Sequence, residues 1–187
     1  GLVRVHRWEP NVGQVFNLPG VNGHVENVPH DDGDLLTALL RDLDLTLWLV
    51  GKLPNAIHAV EQTWPGDSSG RFVQVHLGFP GGAMALIDYT SRLPAGDGYQ
   101  SLSVIGSAGA ATADDHQNMQ LVFRGGRPQA VRVEETGRRH AAAVQERVES
   151  LQAGHDLAAS ATEWQNVLTV AAEVRRSMQT VGWALLP

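Results

Sequence analysis

The chain is 187 residues long, 43% hydrophobic and 18% charged, with a formal net charge of −6 and no cysteine. This composition excludes wholesale disorder, and the length suits a single domain over residues 1–187 with a sizeable core. The acidic surplus argues against nucleic acid or an anionic membrane as partner, and the lack of cysteine excludes disulfides, thiolate nucleophiles and zinc–thiolate sites.

Residues 2–8 alternate apolar and polar side chains and predict a strand ending at Pro10. Residues 10–33 carry Pro, Gly and Asn throughout without a steady period and predict a long loop. Residues 34–51 predict an amphipathic helix with Leu36, Leu39, Leu40, Leu43, Leu47 and Val50 on its apolar face. Gly51 closes it, and Pro54 lies just beyond. Thr37, Arg41 and Asp44 fall on the other side, within roughly 60° of one another at about 100° per residue.

A strand is expected at residues 56–63 and a loop at 65–70. Residues 72–79 and 83–89 flank Pro80-Gly81-Gly82, a hairpin signal because glycine supplies the positive φ of tight turns. Residues 99–105 and 110–113 form a second pair around Gly106-Ser107-Ala108-Gly109, and residues 119–123 and 129–134 a third around Gly125-Gly126. Residues 139–153 and 160–180 hold good helix formers. The second of these presents Trp164, Leu168, Ala171, Ala172, Val174 and Arg175 as a mixed face ending at Gly182. The order predicts an α+β fold, an open, mostly antiparallel sheet with helices on one face. The bare face is expected to form a homodimer or higher homo-oligomer.

No apolar run approaches the roughly 18 residues that a spanning helix needs, and residues 1–6 lack a charged-then-apolar signal pattern. No membrane association and a cytoplasmic location are expected. The first residue is Gly rather than Met, as in a processed product or a piece of a longer protein.

Four segments, in this order, resemble the C-terminal domain of the glucose-fructose oxidoreductase / inositol dehydrogenase (Gfo/Idh/MocA) family. Residues 4–8 look like its opening strand, and residues 43–54, with Asp44, Trp48, Leu49 and Gly51, like the end of its first helix. Residues 104–109 are similar to its glycine hairpin, and Ala172 with Ser177 to its closing A-x-x-x-x-S helix. The resemblance implies a glyceraldehyde-3-phosphate dehydrogenase-like C-terminal domain that binds substrate and oligomerises. Family members place a Rossmann domain first, with a G-x-G-x-x-G turn and an E-K-P motif, and neither occurs in these residues. Gly106-Ser107-Ala108-Gly109 has strand signals on both sides and reads as a hairpin rather than a phosphate loop. NAD(P) is therefore implied only if a Rossmann domain is supplied elsewhere, and no cofactor or metal is expected in this chain.

The family's helix carries D-x-x-x-H-x-x-D, whose first aspartate and histidine face the substrate, the histidine moving the proton. Laid on this chain, those two positions fall at Thr37 and Arg41, both substituted, and the last at Asp44, which matches. Arginine stays protonated near pH 7 and is no general base, and threonine cannot charge-balance an imidazole. No catalytic residue is expected, and Asp44, Arg41 and Thr37 remain as substrate-binding candidates. Arg41 and Asp44 could instead pair on the helix surface, or Arg41 could grip an anionic or hydroxylated ligand.

Other candidates carry less. His30, Asp31, Asp32 and Asp34 cluster without zinc-ligand spacing and read as a solvated helix start. His58 and His76 fall in strands and read as sheet residues, while His24, His116, His140 and His155 need no function. Ser68, Ser69 and Ser177 have no nucleophile-elbow context. The five tryptophans read as core or interface anchors rather than sugar platforms.

The expected function is thus a substrate-binding and oligomerisation domain like that of NAD(P)-dependent sugar or polyol oxidoreductases, inactive in hydride transfer alone. It would take a sugar-like small molecule and a Rossmann-domain partner. The alternative is a degenerate stand-alone pseudoenzyme, a binding or scaffolding module that dimerises through its sheet.

Overall fold

Alternation of apolar residues at every second position builds the central strands of the sheet. The computed structural model describes residues 1–10, 32–64, 67–93, 98–114, 119–124, 127–132, 136–153, 157–180 and 184–185. The order is β1 (Leu2–Pro10), α1 (Asp32–Val50), β2 (Ala56–Trp64), β3 (Asp67–Gly78), β4 (Met84–Leu93), β5 (Tyr99–Gly106), β6 (Gly109–Asp114), β7 (Met119–Phe123), β8 (Gln129–Arg132), α2 (Thr136–Gln152), α3 (Leu157–Gln179) and β9 (Ala184–Leu185). The expected loop lies, for residues 11–31, outside the described residues.

The strands form one sheet in the order β8-β7-β6-β5-β1-β4-β3-β2-β9. β1 pairs with β4 in parallel, and the other pairings are antiparallel. A parallel neighbour needs a crossover, and α1 with the β2–β3 hairpin provides it. The fold is α+β, with an open, mostly antiparallel sheet and helices on one face.

Odd-numbered residues of the central strands face the helices. Val3, Val5, Ile57, Ala59, Val73, Val75, Leu77, Ala85, Ile87 and Tyr89 are buried there against Leu35, Leu39 and Leu43 of α1 and Val167, Val170 and Val174 of α3. Full burial of one such side chain contributes about 1.5–3 kcal/mol. The even-numbered residues share the face that no helix of the described residues covers.

Three details depart from the sequence reading. The loop at residues 65–70 is shorter than expected, because β3 already begins at Asp67 and extends the pairing with β2 past a bulge at Thr63 and Trp64. α1 buries Leu35, Ala38, Leu39, Asp42, Leu43 and Thr46, while Leu40, Leu47 and Val50 only flank the core. The arc is rotated because α1 packs against both the sheet and α3 instead of lying on one flat surface. α3 inserts Val167, Val170, Ala171, Val174 and Ser177, leaving Trp164 and Leu168 half exposed and Ala172 and Arg175 exposed. Its seam is the i, i+3, i+4, i+7 row one step away from the face expected.

Candidate functional site

The orientation of α1 decides which of its side chains can meet a ligand. Asp42 is fully buried, and Arg7 of β1 meets it through Nε to Oδ2 at 2.7 Å and Nη2 to Oδ1 at 2.6 Å. One turn on, Thr46 donates from Oγ1 to the Asp42 carbonyl at 2.6 Å, so this hydroxyl is also satisfied. The forked pair fixes the helix about its own axis as well as its distance from the sheet. Gly51, at φ 68°, ends the helix with a bond from its N–H to the Leu47 carbonyl.

With α1 so held, Thr37, Arg41 and Asp44 are all exposed and share the outward stripe, as the spacing predicted. Trp48 extends that stripe by one turn and is 75% exposed. The surface pairing of Arg41 with Asp44 is not formed; among the described residues no ion pair involves either. The stripe thus offers a guanidinium, a carboxylate, a hydroxyl and an indole, and no imidazole.

A second polar cluster lies on the bare face of the sheet and was not anticipated from the sequence. Asp88 of β4 is buried, accepts a bond from Gln74 Nε2 at 2.7 Å, and stands 3.0 Å from His6 Nδ1 and 3.5 Å from Arg4 Nη2. His76 Nε2 contacts Gln74 Oε1 at 3.1 Å, and His58 lies beside His76 with ring centroids 6.1 Å apart. Burial lowers the His6 pKa below 6.5; Asp88 opposes that shift and Arg4 adds to it. Trp8 packs at a 47° tilt against Tyr99, with ring centroids 5.1 Å apart, and edge-on to His6 at 6.1 Å.

Two sequence signals marked these residues. Asp42 is in phase with Leu35, Leu39 and Thr46, and Arg7 with Val3 and Val5; each is a charge at a buried position. Arg4, His6, Gln74, His76 and Asp88 share the opposite phase of three strands, but only the register brings them together.

The remaining candidates are placed apart or not described. The His30, Asp31, Asp32 and Asp34 cluster lies outside the residues whose side chains are described, as do Trp64, Trp183, Ser68, Ser69, His24, His116, His140 and His155. Among the described residues no group of three His, Asp or Glu side chains is arranged to hold a metal ion. Gly106 pairs with Gly109 at the turn between β5 and β6, a hairpin as expected. Ser177 is buried and accepts a bond from the Ala59 N–H at 2.9 Å. No helix of the described residues is long and apolar enough to cross a membrane.

No family model matches the sequence, and no curated protein matches it. Solved structures do share the fold. UDP-N-acetylglucosamine 3-dehydrogenase GnnA from Acidithiobacillus ferrooxidans superposes with a TM-score of 0.72 at 18% identity, over 95% of this chain and 53% of that one. Levoglucosan dehydrogenase, in complex with NADH and levoglucosan, gives 0.73 at 14% identity, over 100% and 58%. Biliverdin reductase from Synechocystis sp. PCC 6803, in complex with biliverdin and NADP+, gives 0.66 at 15% identity, over 96% and 55%. The chain spans about half the length of the solved structures it matches. Its fold is that of the C-terminal domain of Gfo/Idh/MocA-type oxidoreductases.

Proposed function

We propose that this chain is the substrate-binding and oligomerisation domain of an NAD(P)-dependent sugar or polyol oxidoreductase, and that alone it transfers no hydride. The observation that carries this reading is the outward stripe of α1. Arg7 and Asp42 lock the helix so that Thr37, Arg41 and Asp44 face away from the core, at the positions where the resembling family meets its substrate. Two of the structural neighbours are described as sugar dehydrogenases, which favours a sugar-like ligand. Hydride transfer requires a bound nicotinamide, and these residues contain no dinucleotide-binding glycine turn. A Rossmann domain on this or another polypeptide would supply NAD(P), with the α1 stripe lining the cleft between the two. The expected compartment is the cytoplasm.

Titration of the 187-residue chain with NADH and NADPH, followed by nicotinamide fluorescence, tests the division of labour. Neither nucleotide should bind. Micromolar binding of either would overturn it.

The bare sheet face favours a second reading, a stand-alone scaffold that dimerises through its sheet. Met84, Ile105, Phe123, Val60, Phe72 and Trp8 are all exposed there. The intact mass of the protein from its source separates the two readings. A mass matching 187 residues favours the scaffold, and one larger by about 120–150 residues favours the divided enzyme.

A further inference from the structure

Resting on the reading of the α1 stripe as a substrate surface, we infer that its ligand is a sugar acid, a polyol ring that carries one carboxylate. Arg41 binds the carboxylate, Asp44 and Thr37 exchange hydrogen bonds with ring hydroxyls, and Trp48 covers the apolar face of the ring.

Arg41 is left without an ion-pair partner among the described residues. It stands three residues from Asp44 on one helix face, a spacing at which opposite charges readily pair, yet the two do not. The guanidinium keeps its planar fork of donors available, a shape that matches a carboxylate in bidentate fashion. In a chain of net charge −6 such a cation is a local attractor for anions.

The other three side chains say what the anion is attached to. Counted from Arg41, Thr37 lies roughly 6 Å back along the axis, Asp44 about 4.5 Å forward and Trp48 about 10.5 Å forward, all within an arc of about 60°. Helical side chains lean towards the N-terminus, so the Trp48 indole covers the turn that bears Asp44. Trp48 is the most exposed large hydrophobic residue among those described, at 75%, on a helix whose rotation is fixed by a buried ion pair. An aromatic plane beside a carboxylate and a hydroxyl suits a ring with C–H groups on its face and hydroxyls on its rim.

Charge alone does not choose the anion, because relative to a monoanionic carboxylate a dianionic phosphate ester is attracted by Arg41 and repelled by Asp44 by the same factor of about two. The planar guanidinium fork matches the two coplanar oxygens of a carboxylate, and the carboxylate is assigned on that geometry.

NMR titration of the whole chain with D-glucuronate, D-glucose and D-glucose 6-phosphate tests this, read at the indole N–H of Trp48 and assigned with Trp48→Phe. Glucuronate should bind about tenfold tighter than glucose, the gain from one exposed charge-assisted contact. Arg41→Gln should bring the glucuronate-to-glucose ratio to about one, and Asp44→Asn should narrow the gap between glucuronate and the phosphate. Circular dichroism of both variants should match that of the parent, because both side chains are exposed. Equal binding of glucose and glucuronate, or a ratio untouched by Arg41→Gln, would overturn the sugar-acid inference while leaving a sugar surface in place. Tighter binding of the phosphate would overturn the carboxylate assignment. Failure of all three ligands to move the Trp48 resonance at millimolar concentration would overturn the substrate-surface reading itself.

Discussion

Asp42 has 0% exposure, and its charge is tolerable there because Arg7 meets both carboxylate oxygens. Removing one partner strands the other charge in the core. Arg7→Met or Asp42→Leu alone should therefore cost about 3–5 kcal/mol, while the double substitution should be close to neutral. Urea unfolding of the three variants measures this, and additive losses would contradict it. His6 makes a separate prediction. Its pKa in the folded chain lies below 6.5, chiefly through burial, so the unfolded chain binds more protons as the pH falls past 6.5. The stability that His6 contributes is fully present above about pH 6.5 and declines as the pH drops towards the folded-state value. His6→Gln should flatten that part of the stability-against-pH curve, and an unchanged slope in denaturant titrations would count against the assignment.

Elements follow local chemistry closely in this chain, and their faces do not. The β5–β6 turn shows the local side. Gly109 has a φ of 149°, and a Cβ built there would lie 2.0 Å from the Phe123 carbonyl oxygen of β7. Gly109→Ala must push β7 away or twist the turn, and should lower stability by at least about 1–3 kcal/mol, seen as a fall in the thermal midpoint. α3 shows the other side. Its helical tendency was legible from residues 160–180, but the buried row had to be chosen by the sheet. Ser177 lies in that row because the Ala59 N–H, towards the outer side of β2 where β9 spans only two residues, takes its oxygen as acceptor. The rotation of α1 has the same origin, since neither the site of α3 nor the partner of Asp42 is encoded within the helix.

At the scale of the molecule, the sheet leaves one side bare. Nine strands spaced about 4.8 Å apart present a face on the order of 800 Å², close to one partner's share of a standard interface. Met84, Leu2, Ile105, Ala110 and Phe123 form one cross-strand row, and the buried Asp88 centre lies two rows away. Self-association through this face is expected, and Met84→Arg with Ile105→Arg should convert dimer to monomer in sedimentation velocity while leaving the circular dichroism unchanged. A monomeric parent, or a variant that still dimerises, would remove the sheet face from consideration.

The sequence by itself determined the run of elements, the α+β class and the stripe of Thr37, Arg41 and Asp44. Those rest on periods of two and 3.6 residues and on turn residues, which act over a few positions of chain. Only the tertiary structure decided that α1 turns Asp42 inward onto Arg7 and that Arg4, His6, Gln74 and Asp88 gather across three strands. It likewise placed Trp48 in the open rather than in the core. These outcomes depend on register and on which helix lies against which strand, and such contacts join residues dozens of positions apart that no local pattern links.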